Sequence, residues 1–321
     1  MTRLIDVHRH LWGFDWFPPS HLRRTAQGVA RGRPIEVALE RIKQSPSMDT
    51  SGAGAISEME YYGIDVSVIL TLDWGMAYGP GEDNVMPVEE FHKLTYEACK
   101  RYPGKLYAMC GMDPRRGGVV QFFDKCVKEW GAVGYKIYPP NGYQANADFC
   151  FPVYKKAIEL DVPVLIHTGG PTLWTWPEWV GDVARRLPQL RVIMGHSNGG
   201  LIEAGGHWKG LTAARGHRNV WLDLCDWQVS TAVKEENIPV LLKVIRVFLD
   251  SMGPERIVWG TDLPQAGVGG AARARNERWV DIFKNLPEWG DKYGIKFTED
   301  ERDGVCYRAA EAAFSNIFAK K

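Results

Sequence analysis

Eight short apolar runs recur along the chain, and longer amphipathic segments lie between most of them. Short runs rich in Val, Ile and Leu predict β-strands, and near-continuous ones such as VPVLIH predict strands that are buried on both faces. Eight strands that alternate with helices are typical of an α/β fold of the (β/α)8, or TIM-barrel, type, and an open doubly wound sheet is the alternative. The predicted strands are Leu4–Val7, Val66–Thr71, Leu106–Gly111, Ala132–Tyr138, Pro163–His167, Arg191–Gly195, Val220–Leu224 and Arg256–Gly260.

The segments between the strands predict a single domain over residues 1–321, because no linker or low-complexity stretch divides the chain. Residues 18–50 are longer and more irregular than an ordinary strand-to-helix connection, which predicts an inserted loop or lid. The amphipathic segments predict helices around Gly54–Tyr62, Val88–Arg101, Gly118–Trp130, Phe151–Leu160, Pro177–Leu187 and Val240–Met252, and an Ala-rich closing helix from about Asp300 to Phe318.

Charge and cysteine content argue against several classes of protein. The 321 residues carry 39 basic and 39 acidic side chains, and this balance argues against a nucleic-acid partner, because binding to phosphates needs clustered Lys and Arg. Six scattered cysteines without a CxxC pair predict a reduced chain. No run of about 18 apolar residues is available to span a membrane, and no signal segment precedes the first strand, so we expect no membrane partner and a cytoplasmic location.

Side chains of metal-ligand type stand at the ends of four predicted strands. His8 and His10 end the first strand and, being two residues apart, share one face of it. His167 ends the fifth strand, His196 the sixth and Asp262 the eighth. Each alone is compatible with a core histidine or a turn residue, but the carboxyl ends of barrel strands meet on one rim, where all five would converge. Imidazoles with a carboxylate predict one divalent ion, Zn²⁺ first and Mn²⁺ second.

The motifs IDVHRH, KIYPP, VLIHTGG, GHSNGG and WGTDLP, followed by the AAFSNIF segment, carry a resemblance over essentially the whole chain. The chain resembles the amidohydrolase superfamily, and within it the amidohydrolase-related group that contains aminocarboxymuconate-semialdehyde decarboxylase-like and lactonase-like enzymes. The resemblance implies a small-molecule enzyme in which His8, His10 and His167 bind the metal. It also implies that Asp262 is a ligand that moves protons, and that His196 polarises the substrate or aids proton transfer.

Lys136, in the stretch GYKIYPP, separates two branches of that superfamily. Binuclear members carry a carboxylated lysine on the fourth strand, which bridges two metals. The related group works with one metal and usually keeps this lysine unmodified, which favours Lys136 as a cation for a substrate carboxylate. The opening is also similar to TatD-type nucleases, but the acidic GEIGLD-like stretch of those enzymes has no counterpart here, so we reject a nuclease.

Tryptophans cluster just beyond the ends of the predicted strands. Single ones are expected to pack loops onto the rim, but together they predict a mouth with indole walls, which suits flat, aromatic or ring-shaped substrates. Arg9 is a further candidate for contact with the substrate, although alternation along the strand turns it away from its flanking histidines. The predicted substrate-binding residues are Arg9, Trp12, Trp74, Lys136, Tyr138, Trp174, Trp176 and Trp227.

Two reactions are compatible with this constellation. The first is hydrolysis of a C–O or C–N bond in a small cyclic or aromatic substrate, such as a lactone or an amide, by a metal-activated water, with Asp262 and His196 as catalytic residues. The HRHLW opening favours it through its likeness to the lactonases, whereas SNGG departs from their Gly-Lys-Pro stretch. The alternative is nonoxidative decarboxylation of an aromatic or unsaturated acid. A barrel that binds a metal or ligand without turnover is a third hypothesis. We also expect a homo-oligomer.

Overall fold

The computed structural model describes residues 2–79, 81–170, 172–199, 205–225, 229–315 and 317–318. Eight strands lie within or overlap the eight predicted ones, and every strand pairs in parallel with its neighbours. The strands are β1 Ile5–Arg9, β2 Val66–Leu70, β3 Leu106–Met109, β4 Tyr135–Ile137, β5 Val164–His167, β6 Val192–Gly195, β7 Val220–Leu224 and β8 Ile257–Trp259.

The order of the strands is that of a barrel. Ladders join β1–β2–β3 and β4–β5–β6–β7–β8, so each strand lies beside the next one in the chain. Parallel bridges connect the two groups at both seams, between Cys110 and Tyr135 and between Arg9 and Leu263. A doubly wound sheet reverses direction at a switch point, and this strand order has none. The predicted (β/α)8 fold class is therefore confirmed.

Helices follow the strands where amphipathic segments predicted them, because each presents an apolar face to the strands. The closing segment is helical as predicted and contains a π-helical turn at Gly304–Arg308. The helices are α1 Pro19–Ala30, α2 Ile35–Lys43, α3 Ala53–Tyr62, α4 Val88–Arg101, α5 Val119–Trp130, α6 Phe151–Glu159, α7 Pro177–Arg186, α8 Gly206–Ala214, α9 Val229–Ala232, α10 Ile238–Met252, α11 Gly270–Lys284, α12 Leu286–Lys292, α13 Glu299–Asp303 and α14 Ala309–Ala313.

Residues 18–50, the predicted insertion, contain a pair of helices. Helices α1 and α2 each begin directly after a proline, whose fixed φ favours a helix start. They pack on each other through the small buried side chains Ala26, Ala30 and Ala38, which form a cluster separate from the main core. Small residues at a helix contact have too weak a hydrophobic pattern to predict a helix pair from sequence.

We predict that Gly260, directly after β8, is needed for the packing at the strand ends. A Cβ atom there would stand 2.7 Å from the Cβ of His8 and 3.0 Å from that of Cys225, so Gly260→Ala should lower the free energy of unfolding by about 1–3 kcal/mol. Gly28→Ala is the matched control, because a Cβ at this helical position meets no atom within 4 Å. Urea denaturation of both variants is the measurement, and equal stability of the two would contradict the prediction.

Candidate active site

A compact polar cluster lies at the carboxyl ends of β1 and β8. The Oδ1 atom of Asp262 is 3.1 Å from Nε2 of His10 and 3.6 Å from Nε2 of His8. All three residues are buried, and each offers one ligand atom within 4.8 Å of the other two. Two imidazole nitrogens and a carboxylate at this spacing are a donor set that divalent metals accept. The structure therefore brings together three of the four predicted metal ligands as one candidate metal site.

The backbone around β1 and β8 sets the position of this cluster. The Asp262 N–H donates to the His8 carbonyl and the His10 N–H to the Leu263 carbonyl, both at 2.7 Å. Asp6 lies two residues before His8 in β1 and is fully buried. Its carboxylate accepts hydrogen bonds from the Thr261 N–H at 3.0 Å and from the Thr261 hydroxyl at 2.7 Å. Burial raises the pKa of Asp6 to about 6. These bonds hold β1 against the segment that directly follows β8.

The outer ring nitrogens of His8, in β1, and of His10, directly after it, are both hydrogen-bonded. His10 Nδ1 lies 2.7 Å from the Leu70 carbonyl, which can only accept, so this nitrogen carries the proton. His8 Nδ1 lies 2.6 Å from Oδ2 of Asp223, a carboxylate inside β7. In both rings the Nε2 lone pair then faces Asp262, which is the tautomer that a metal ligand requires. The residues present thus fit a divalent ion.

Burial keeps the imidazoles of the site neutral. It lowers the pKa of His10 and of His196 to about 3, and it holds the pKa of His8 and of His167 well below the usual value. The neutral form is the one that donates a lone pair to a metal.

His167 and His196 pair with each other beside the cluster. His196 Nε2 is 3.0 Å from His167 Nδ1, and the His196 ring lies 4.6 Å from that of His8. His196 has a positive φ of 60°, which is uncommon for a residue other than glycine. Through its contact with His196, His167 borders the group in which the ligand atoms of His8, His10 and Asp262 lie within 4.8 Å of one another.

Two residues of β7 and its end belong to the site although neither was predicted. Asp223 holds His8, as described above. Cys225 Sγ lies 2.9 Å from Nδ1 of His8 and 3.2 Å from Nδ1 of His196, and these three residues form a second compact group of metal-ligand type. The available sequence signal was the carboxylate of VWLDLC, because a charge within a strand buried on both faces must have a partner.

Lys136 of β4 reaches the centre of the site. Its side chain is buried, with 2% of the residue exposed, and Nζ lies 3.3 Å from Nε2 of His8. Burial lowers the pKa of Lys136 to about 8. The sequence prediction that this lysine lies near the metal ligands agrees with its position, and an amine here is within reach of any group bound at the cluster.

The cluster opens into a cavity of about 420 Å³. Trp12, Trp74 and Tyr138, all predicted from the sequence, line it together with His8, His10, Lys136, His167, His196 and Asp262. Helices α1 and α2 and the segments that flank them also contribute, and none of these residues was predicted. The further lining residues are Phe17, His21, Leu22, Thr25, Ile42, Ser47, Met48, Leu72, Pro264 and Gln265.

Three predicted substrate-binding residues, Arg9, Trp174 and Trp176, do not line this cavity. Arg9 alternates away from it, pairs with Glu58 and lines a neighbouring cavity of about 250 Å³. Trp174 and Trp176 are 37% and 50% exposed on the loop after β5, where the Trp176 ring stacks on Trp179. Trp227 lies outside the described residues.

In the described part of the chain, no helix is both long and apolar enough to cross a membrane.

Comparison with known proteins agrees with this geometry. A 2-keto-4-carboxy-3-hexenedioate hydratase of Sphingobium sp. is 23% identical over 242 residues, which cover 66% of this chain and 70% of the relative. A 5-carboxyvanillate decarboxylase of Novosphingobium aromaticivorans, complexed with manganese and 4-hydroxy-3-methoxy-5-nitrobenzoic acid, has a similar structure with a TM-score of 0.64, 15% identity and coverage of 98% of this chain and 96% of that chain.

A probable 2-pyrone-4,6-dicarboxylic acid hydrolase of Acinetobacter baumannii also has this fold, with a TM-score of 0.61, 14% identity and coverage of 98% of this chain and 99% of that chain. At such identities the structural likeness establishes the TIM-barrel fold. The family model for amidohydrolases matches residues 5–315, which is nearly the whole sequence. The chain therefore belongs to the amidohydrolase family of enzymes, as its motifs indicated.

Proposed function

We propose that this protein is a metal-dependent hydrolase that cleaves a C–O or C–N bond, such as that of a lactone or amide, in a small, flat, ring-shaped substrate. The observation that carries the proposal is the combination of the His8–His10–Asp262 cluster with an aromatic cavity that opens directly onto it. A polar donor set at one end of an apolar slot suits a planar molecule with its reacting group at one edge.

His8, His10 and Asp262 would hold one divalent ion, with His167 beside them as a fourth ligand. Zinc fits this donor set best, and the manganese in the solved decarboxylase supports Mn²⁺ as the alternative. Such an ion, when bound, lowers the pKa of water and polarises a carbonyl group.

The other polar side chains supply the remaining steps. Asp262 accepts a proton from water as its oxygen attacks the carbonyl carbon, and returns that proton to the leaving oxygen or nitrogen when the bond breaks. His196 and the Lys136 ammonium stabilise the negative charge that develops on the carbonyl oxygen. Lys136 also seats a substrate carboxylate, while Trp12, Trp74 and Tyr138 contact the faces of the ring.

Decarboxylation is the second candidate, and Lys136 is the observation that favours it, because a buried cation beside His8 can orient a carboxylate for loss. The similar proteins include a decarboxylase, a hydrolase and a hydratase, so they support both candidates equally. The third hypothesis is a non-catalytic barrel that binds a metal or ligand, and it predicts metal binding without any turnover.

We further propose a cytoplasmic homo-oligomer built from one domain, in which α1 and α2 act as a lid over the cavity. The six cysteines are free and buried, which suits a reducing compartment. The small separate cluster between α1 and α2 supports their movement as a unit.

The first prediction concerns metal content. The wild-type protein should hold one divalent ion per chain. Loss of a residue that hydrogen-bonds a metal ligand usually weakens metal affinity by roughly 10–100-fold, and His10→Asn, which removes a ligand itself, should weaken the affinity for the ion by more than that. Asp223→Asn should fall within that smaller range, since Asp223 contacts His8 through the ring nitrogen that faces away from the cluster. His217→Asn, outside the cavity, is the control. Elemental analysis decides, and an unchanged metal content in His167→Asn would restrict the ligand set to His8, His10 and Asp262.

The second prediction separates metal binding from proton transfer. Asp262→Asn should retain part of the metal and lose nearly all turnover, because an amide cannot accept the proton. His196→Ala should keep the metal and lower kcat by about 10²–10⁴, the usual contribution of a positioned acid–base group. Steady-state kinetics on metal-loaded protein test both, and a wild-type kcat for His196→Ala would remove this residue from the mechanism.

The third prediction distinguishes the two reactions. The metal-loaded protein is incubated in oxygen-18 water with a panel of aromatic lactones, amides and carboxylic acids. At least one compound should be converted to a product that carries the label in its carboxylate, because hydrolysis takes one oxygen from solvent. Mass spectrometry reads the label. Release of carbon dioxide with solvent deuterium on a ring carbon would establish decarboxylation instead, and metal binding without conversion of any compound would favour the binding barrel.

A further inference from the structure

One row of rings in contact leads from the polar cluster to His21 on helix α1. The ring of His10 lies 4.5 Å from that of Trp12, with an angle of 11° between the planes. Trp12 contacts Phe17 at 5.4 Å, and Phe17 stacks on His21 at 4.8 Å, again at 11°. Because Trp12, Phe17 and His21 all line the cavity, this row forms one of its walls.

A second row begins at His167 and ends at the same residue. The Tyr138 ring lies 5.0 Å from His167 and 4.7 Å from Trp74, and Trp74 lies 4.4 Å from His21. Two aromatic walls therefore start at the candidate metal site and converge on His21. The space between them is a slot with polar groups at both ends, and each wall is two aromatic side chains long. The slot narrows towards His21, where the rings of Phe17 and Trp74 lie 6.1 Å apart.

The hydrogen bonds of His21 decide which of its two ring nitrogens carries the proton and can donate it to a ligand. Nδ1 lies 3.0 Å from the Tyr78 hydroxyl. The Arg24 guanidinium, which can only donate, contacts that hydroxyl, so the proton of Tyr78 is directed to Nδ1 of His21. The His21 proton then resides on Nε2, for which the described residues offer no hydrogen-bond partner. Burial and the charge of Arg24 lower the pKa of His21 to about 4, which keeps the ring neutral.

We infer that His21, oriented by Tyr78, is a second recognition point for the substrate. Its Nε2–H donates to an ether, carbonyl, hydroxyl or carboxylate oxygen on the ring edge remote from the polar cluster. The preferred ligands are thus flat rings with the reacting group at one edge and an oxygen acceptor at the other. The inference rests on the proposed function in that it takes this cavity as the substrate site, and it names the class of substrate that the site prefers.

The test uses benzoates that differ only in an acceptor oxygen. Calorimetric titration of the metal-loaded protein with 3- and 4-methoxybenzoate and with the isosteric 3- and 4-ethylbenzoate gives the ratio of dissociation constants, ethyl over methoxy, for each position. At the position that reaches His21, this ratio should fall about five- to tenfold in His21→Phe, the usual effect of one lost hydrogen bond. Phenylalanine can keep the ring stacking on Phe17, so the variant should still bind the ethyl compounds, and this binding serves as the control for folding.

Tyr78→Phe is the second variant, because it leaves His21 in place and removes the hydroxyl that fixes its tautomer. The ratio should fall in this variant too, by less than in His21→Phe. A ratio that stays at its wild-type value in both variants, while all the benzoates bind, would overturn the role of His21 and leave the proposed function intact. Failure of every benzoate to bind the metal-loaded wild-type protein would overturn the proposed substrate site, and the role of His21 with it.

Discussion

The seam between the first and the last strand is the contact on which the rest of the site depends. The Asp262 N–H bonds the His8 carbonyl and the His10 N–H bonds the Leu263 carbonyl, while Asp6 accepts two hydrogen bonds from Thr261. Asp6 and Thr261 are 255 positions apart in the chain. Closing so long a loop has an entropic cost, which the packing of all eight strands offsets. Without this closure the histidines of β1 would have no carboxylate opposite them.

Burial of many polar groups at one place imposes a second constraint. Each buried nitrogen or oxygen without a partner costs about 1–3 kcal/mol, so the site is stable only as a connected network. Asp223 and the Leu70 carbonyl take the outer nitrogens of the β1 histidines, and His167 pairs with His196. The same contacts that satisfy these groups orient their inner nitrogens towards Asp262. Stability and readiness for a metal therefore follow from one set of hydrogen bonds.

The aromatic slot is built jointly by the ends of the barrel strands and by helix α1. Strand ends contribute Trp12, Trp74 and Tyr138, and helix α1 contributes His21 to the far end of the slot. The α1–α2 pair packs on the barrel mainly through a small aromatic and aliphatic cluster around Phe17 and Leu22. Changes in these two helices would alter the remote end of the cavity and leave the polar cluster untouched, because the two ends are built from different parts of the chain.

Sequence periodicity determined the strands, most of the helices and the side chains at the strand ends, because a strand buried on both faces is apolar along its length and ends where polar residues begin. Tertiary structure alone decided the partners of those side chains. The roles of Asp223 and Cys225 depend on the register of β7 against β8 and on the closure of β8 against β1, which no local pattern records. Alternation within β1 turns Arg9 away from the histidines, but its pairing with Glu58 depends on how α3 packs against β1. His21 reaches the cavity only because α1 folds back over the rim. Both outcomes are set by packing between segments distant in the chain.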